Sequence, residues 1–139
     1  MMNQALNALH GSDGPIKVLV ADDSPSVRRV IRQLLALQDS IEVVGEADCY
    51  ARAIQMASSL RPRLVVLDLH MPDEKHVTPE EVKTCLTVGS DLLAISVWND
   101  ESAEILAQNL GASILLDKAN LARTLIPAIL RLCQQDRPA

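Results

Sequence analysis

The sequence predicts an α/β fold, a parallel five-stranded sheet covered by helices on both faces, and three observations carry that prediction. Five short apolar, β-branched runs recur along the 139 residues, each followed by a stretch whose apolar residues repeat at helical spacing. Parallel strands need crossovers, and right-handed crossovers carry helices, so the alternation implies a three-layer, doubly wound sheet. The length, with 48% apolar and 22% charged residues, suits one domain and leaves no room for a second core of comparable size.

Ile16 to Ala21 (IKVLVA) forms the first strand and stops at two carboxylates, Asp22 and Asp23. Ser24-Pro25 supplies an N-cap with proline at the first helical position, and Val27, Val30, Ile31, Leu34 and Leu35 extend a helix to about Gln38. The second strand is Ile41 to Ala47, and Ala53, Ile54, Ala57 and Leu60 mark a helix ending before Pro62. Leu64 to Leu67 is the third strand, closed by Asp68. After a charged loop, Thr78-Pro79-Glu80-Glu81 has the pattern of a capping box, so the third helix starts late, near Pro79. Asp91 to Ser96 is strand four; Asn99 or Asp100 caps a helix with Ala103, Leu106, Ala107 and Leu110 on one face and Gly111 as its stop. Ser113 to Leu116 is strand five, and Leu121, Leu125, Ile129 and Leu132 form the last helix. Pro127 falls inside that helix, so it is expected either to begin near Thr124 or to kink. Residues 1–15 and 135–139 are expected to be loose ends around a domain spanning 16–134.

Composition narrows the function. Thirteen Lys and Arg against eighteen Asp and Glu give a net charge of −5 with the basic residues scattered, so direct nucleic-acid binding is not expected. With no Phe, one Tyr and one Trp, stacking platforms for bases are excluded. Cys49, Cys85 and Cys133 are far apart and odd in number, which fits neither a disulfide framework nor a zinc site. No leader pattern and no run of ~18 apolar residues occurs, so a cytoplasmic protein without membrane attachment is expected.

The chemistry concentrates at one place. In a doubly wound sheet the site lies beyond the carboxyl ends of the strands. Strand one delivers Asp22 and Asp23 there, strand three Asp68, strand four Ser96 and strand five Lys118. Each has an ordinary structural explanation alone, but three carboxylates packed together repel unless a cation neutralises them. All-oxygen ligation suits Mg²⁺, bound through carboxylates plus a phosphate. A carboxylate, a hard cation, a hydroxyl and an ammonium form an apparatus for phosphoryl transfer, with one carboxylate as nucleophile. No glycine-rich nucleotide-binding loop is present.

The stretches VLVADDSPSVRRVI, GEADCYARAIQMA, RPRLVVLDLHMPD, LLAISVWND and GASILLDK, in this order and spacing, resemble the receiver domain of two-component response regulators, with a flavour of those attached to LuxR-type helix-turn-helix domains. The resemblance implies a flavodoxin-like strand order of 2-1-3-4-5. It implies that Asp68 accepts a phosphoryl group from a histidine kinase or phosphotransfer protein, and that Mg²⁺ is held by Asp22, Asp23, Asp68 and the backbone carbonyl of His70. Ser96 would be the switch hydroxyl and Lys118 the cation that pairs with the phosphoryl oxygens. The signal would leave through the face of helix four, strand five and helix five, toward a downstream protein or a phosphorylation-dependent dimer. Self-catalysed transfer and slow autodephosphorylation would be the only chemistry.

Several positions depart from the family pattern. Leu115 stands where an aromatic usually precedes the lysine by three residues; Val97 directly follows the switch hydroxyl where the family commonly has a small residue, and it and the next residue, Trp98, are expected to restrict approach to Asp68; His76 replaces a loop glycine; and Ala119 follows Lys118 where proline is frequent. His70 and His76, in a polar loop, are expected to be solvated rather than metal ligands. Three other readings compete: a degenerate receiver that binds partners regardless of phosphorylation, the receiver half of a DNA-binding regulator, and a haloacid-dehalogenase-like phosphatase. The last needs a carboxylate two residues after the nucleophile, where His70 stands.

Overall fold

The computed structural model describes residues 14–135, so the expectations for 1–13 and 136–139 lie outside the described residues. Five strands lie parallel in the order β2-β1-β3-β4-β5: β1 (Ile16–Ala21), β2 (Ile41–Ala47), β3 (Leu64–Asp68), β4 (Asp91–Ser96) and β5 (Ile114–Asp117). Five helices cover them: α1 (Pro25–Leu35), α2 (Tyr50–Leu60), α3 (Pro79–Leu86), α4 (Glu101–Asn109) and α5 (Leu121–Gln135). A single 3₁₀ turn, Lys118–Asn120, joins β5 to α5.

Local signals set most boundaries. Ser24 Oγ accepts the amide of Val27 ahead of Pro25, and Thr78 and Glu81 close the capping box reciprocally. Asp100 rather than Asn99 caps α4. Gly111, at φ 86°, takes the left-handed conformation just past that helix. Gly45 serves a different need: a Cβ there would come within 2.9 Å of Leu60 Cδ1, so its absence lets α2 lie close to the sheet. One residue earlier β2 bulges, the register passing from Val18↔Val43 to Leu19↔Gly45.

The differences from expectation have physical reasons. Strand five is shifted by one residue, Ile114–Asp117 instead of Ser113 to Leu116, because pairing to β4 runs from Leu93↔Ile114 to Ser96↔Asp117. The last helix does not begin near Thr124: it starts at Leu121 and runs through the proline to Gln135. Pro127 is exposed, while Leu121, Leu125, Ile129 and Cys133 are buried on the opposite face. Burial of that stripe outweighs one missing helical hydrogen bond. No peptide bond among the described residues is cis, that between Lys118 and Ala119 included.

The sheet separates two apolar clusters. Leu19, Val65, Leu67, Leu92 and Ala94 meet α2, α3 and α4 on one face; Val18, Val20, Val66, Leu93 and Ile95 meet α1 and α5 on the other. Central strands buried on both sides are continuous apolar runs, as β1, β3 and β4 are. Polar groups at their ends therefore mark where the apolar layers stop.

Candidate functional site

The site lies where β1, β3, β4 and β5 end. Asp22 follows β1 directly, Asp68 and Ser96 are the last residues of β3 and β4, and Lys118 follows β5. Asp22, Asp68 and Ser96 are the buried polar residues of the described chain, exposed by 0%, 5% and 1%. Lys118 Nζ lies 2.7 Å from Asp22 Oδ2 and 3.3 Å from Asp68 Oδ2.

Asp22 is hydrogen-bonded at its amide, its carbonyl and one carboxylate oxygen. Its amide donates to Ala47 O, its carbonyl accepts Arg28 Nη1 at 2.7 Å, and Oδ1 accepts the Ser24 amide at 2.8 Å. Oδ2 has the Lys118 ammonium as its one close partner among the described residues. Asp23 is exposed, so the paired acids are split by burial into an anchored inner group and an accessible outer one. Asp68 Oδ1 accepts the amide of His70 at 3.3 Å. Ser96 Oγ accepts the Trp98 amide at 2.9 Å.

Burial acts most strongly on Asp68 and the charge of Asp22 adds to it; Lys118 and the His70 amide oppose them, leaving the carboxyl raised to about 6. Burial alone would discharge Lys118, but its hydrogen bond to Asp22 and the charges of Asp68 and Asp22 prevail, holding the ammonium above its ordinary value. Carboxylate oxygens of Asp22, Asp23 and Asp68 lie within 4.8 Å of one another. Three carboxylates less one ammonium leave two negative charges, which a divalent cation balances, and an all-oxygen donor set suits a hard one such as Mg²⁺. Neither His70 nor His76 belongs to this cluster; His70 Nδ1 instead faces Glu74 Oε2 at 3.1 Å.

Every strand-end residue named from the sequence is therefore brought to one edge. The flanks are exposed: Val97 by 64% and Trp98 by 61%. Leu115, at the usual aromatic position, is half-buried against the cluster beneath α4. Tyr50 and Asp73 had no signal as site residues, yet both hold the loop after Asp68. The Tyr50 hydroxyl donates to Leu69 O and lies 3.4 Å from Asp68 O, while Asp73 accepts the amides of Tyr50 and Ala51, each at 3.0 Å. The one available hint was a lone tyrosine at a helix start in a chain almost without aromatics.

Comparison with known proteins gives a consistent result. Residues 18–130 match the family described as response regulator receiver domain. The chain is 35% identical over 111 residues to protein-glutamate methylesterase/protein-glutamine glutaminase 2 of Anaeromyxobacter dehalogenans, covering 80% of this chain and 32% of that protein. It is 31% identical over 115 residues to the nitrate/nitrite response regulator protein NarL of Escherichia coli K12, covering 83% and 53%. The matched region thus spans about a third to a half of the length of these two curated relatives. Among solved structures, the signal receiver domain of a NarL response regulator from Mycobacterium tuberculosis superposes with a TM-score of 0.77 at 27% identity, covering 87% of this chain and 98% of that one. The response regulator domain of Thermotoga maritima CheB gives 0.71 at 26%, covering 87% and 95%.

Proposed function

The chain belongs to the response regulator receiver domain family of two-component signalling, and from that premise we propose that it accepts a phosphoryl group on Asp68. The observation that carries the reading is the convergence of Asp22, Asp23, Asp68, Ser96 and Lys118 at one sheet edge, with Lys118 already within 3.3 Å of Asp68.

In the transfer, a carboxylate oxygen of Asp68 attacks the phosphorus of a phosphohistidine on a kinase or phosphotransfer protein. The P–N bond breaks, the imidazole leaves and takes up a proton, and an aspartyl phosphate results. Asp22, Asp23, Asp68 and the backbone carbonyl of His70 would hold Mg²⁺, which when bound supplies positive charge against the phosphoryl oxygens. Lys118 pairs with one of those oxygens, and Ser96 exchanges its contact with the Trp98 amide for another. These shifts repack α4, β5 and α5, the face offered to a downstream protein or to a second copy. A cytoplasmic setting and the absence of direct nucleic-acid contact by this domain complete the reading.

Acetyl phosphate or a phosphorylated kinase with Mg²⁺ should label the wild type, and Asp68→Asn should take no label. Label persisting on Asp68→Asn would defeat the assignment. A second reading is favoured by the relatives being longer, the matched region making up 32% of one and 53% of the other: the domain serves as the receiver part of a longer regulator. No helix of the described chain is long and apolar enough to cross a membrane.

A further inference from the structure

We propose that Tyr50 is a positioning residue that sets the orientation of the Asp68 carboxylate through a single peptide group. The inference deepens the phosphoacceptor reading and rests on it for its labelling test. The Leu69 carbonyl and the His70 amide are the two ends of one planar trans unit. On the oxygen end sits the Tyr50 hydroxyl, and on the nitrogen end Oδ1 of Asp68 at 3.3 Å. Rotation of that plane away from Tyr50 would carry the amide away from the carboxylate. It would also move the following carbonyl, that of His70.

The clamp is built from groups that have little freedom themselves. Tyr50 is exposed by 3%, within the cluster that contains Leu69 and Met71. Its backbone is the first residue of α2, preceded by Cys49, which makes no side-chain capping bond. Asp73 caps the helix from across the fold, taking the Tyr50 and Ala51 amides on separate oxygens at 3.0 Å each. The loop after Asp68 is therefore pinned to α2 at two points, Leu69 by the tyrosine hydroxyl and Asp73 by the helix amides. On its other side, the Leu69 amide donates to Ile95 O of β4 at 3.1 Å. A hydroxyl donated to a carbonyl also polarises the amide at the far end of the same unit, strengthening its bond to the carboxylate.

Tyr50→Phe keeps the ring and removes only the hydroxyl. Measured by NMR without metal, the His70 amide should exchange with solvent about tenfold faster relative to the Leu69 amide, the factor expected from losing one hydrogen bond. Mg²⁺ affinity by calorimetry should fall about fivefold or more on the same ground, and the rate of Asp68 labelling at saturating acetyl phosphate should fall while its KM stays. Because Tyr50 is the one tyrosine in the chain, 3-fluorotyrosine incorporated into the otherwise native protein reports the clamp alone, and its fluorine resonance should move on Mg²⁺ addition. Exchange at His70 or Mg²⁺ affinity unchanged within twofold in Tyr50→Phe overturns the proposal, as does a fluorine resonance that stays still at saturating Mg²⁺. Wild type that takes no label on Asp68 would instead defeat the phosphoacceptor reading, with the exchange and calorimetry results still deciding the clamp.

Discussion

Lys118 places one ammonium against two buried carboxylates, 2.7 Å from Asp22 Oδ2 and 3.3 Å from Asp68 Oδ2. Removing one partner of a buried charge cluster strands the others, a loss of roughly 3–5 kcal/mol. Lys118→Met should accordingly lower stability in urea by about 3 kcal/mol or more when a chelator is present, and saturating Mg²⁺ should restore a larger share in the variant than it adds to the wild type. Equal stability of the two proteins in chelator would show that the cation does not neutralise this pair. Val97 and Trp98 belong to the same scale. Their side chains stand exposed next to Ser96, whose hydroxyl the Trp98 amide already occupies. If they restrict approach to Asp68, Val97→Ala and Trp98→Ala should each speed labelling by acetyl phosphate and loss of label, measured by quenched-flow; unchanged rates in both would remove that role.

At the scale of elements, α2 depends on a residue 22 and 23 positions away. Asp73 accepts two of the first amides of the helix, which otherwise have no intrahelical partner. Burial acts to raise its carboxyl, but the bonds from Ala51 and Tyr50 outweigh that and hold it below the ordinary carboxylate range. A depressed folded pKa contributes stability that is present above the unfolded value and lost as pH falls through the folded one. Asp73→Ala should therefore cost about 1 kcal/mol at pH 7, as lost caps do, and the gap between the two urea curves should close as pH is lowered through that range. A gap of constant size from pH 7 to pH 3 would contradict the capping role. This dependence also marks the limit of what a sequence shows. Ser24-Pro25 and Thr78-Pro79-Glu80-Glu81 declare their helices because cap and helix are adjacent in the chain. Asp73 and Tyr50 act across the fold, and no local pattern joins them. Pro127 shows the opposite failure, a local rule overridden when Leu121, Leu125 and Ile129 gain burial on the far face of α5. The strand-end positions of Asp22, Asp68, Ser96 and Lys118 were legible because the α/β topology dictates them, whereas the division between a buried Asp22 and an exposed Asp23 required the packing of Arg28, Ser24 and Lys118.

For the whole molecule, the sheet is a partition as well as a scaffold. Leu86 of α3 is buried in the cluster on one face and Leu125 of α5 in the cluster on the other, and these clusters share no residue. Alternate residues of β1, β3 and β4 supply the two sides, so the functional groups at the strand ends are held by both cores at once. Deleting a buried leucine side chain to alanine costs roughly 2–5 kcal/mol, and changes that share no partners add within about 0.5 kcal/mol. Leu86→Ala and Leu125→Ala should each destabilise in that range, and the double variant should lose the sum, read from urea unfolding with a common slope. If the sheet instead passes strain from one face to the other, the double variant will depart from the sum by more than 1 kcal/mol or so, and the two faces will have to be treated as one mechanical body. That distinction bears on the proposed signalling, because α4 lies on one face and α5 on the other, with β5 between them. Additive faces would mean that a change at Asp68 reaches α4 and α5 separately, through β4 and β5; coupled faces would let repacking under α4 alone move α5.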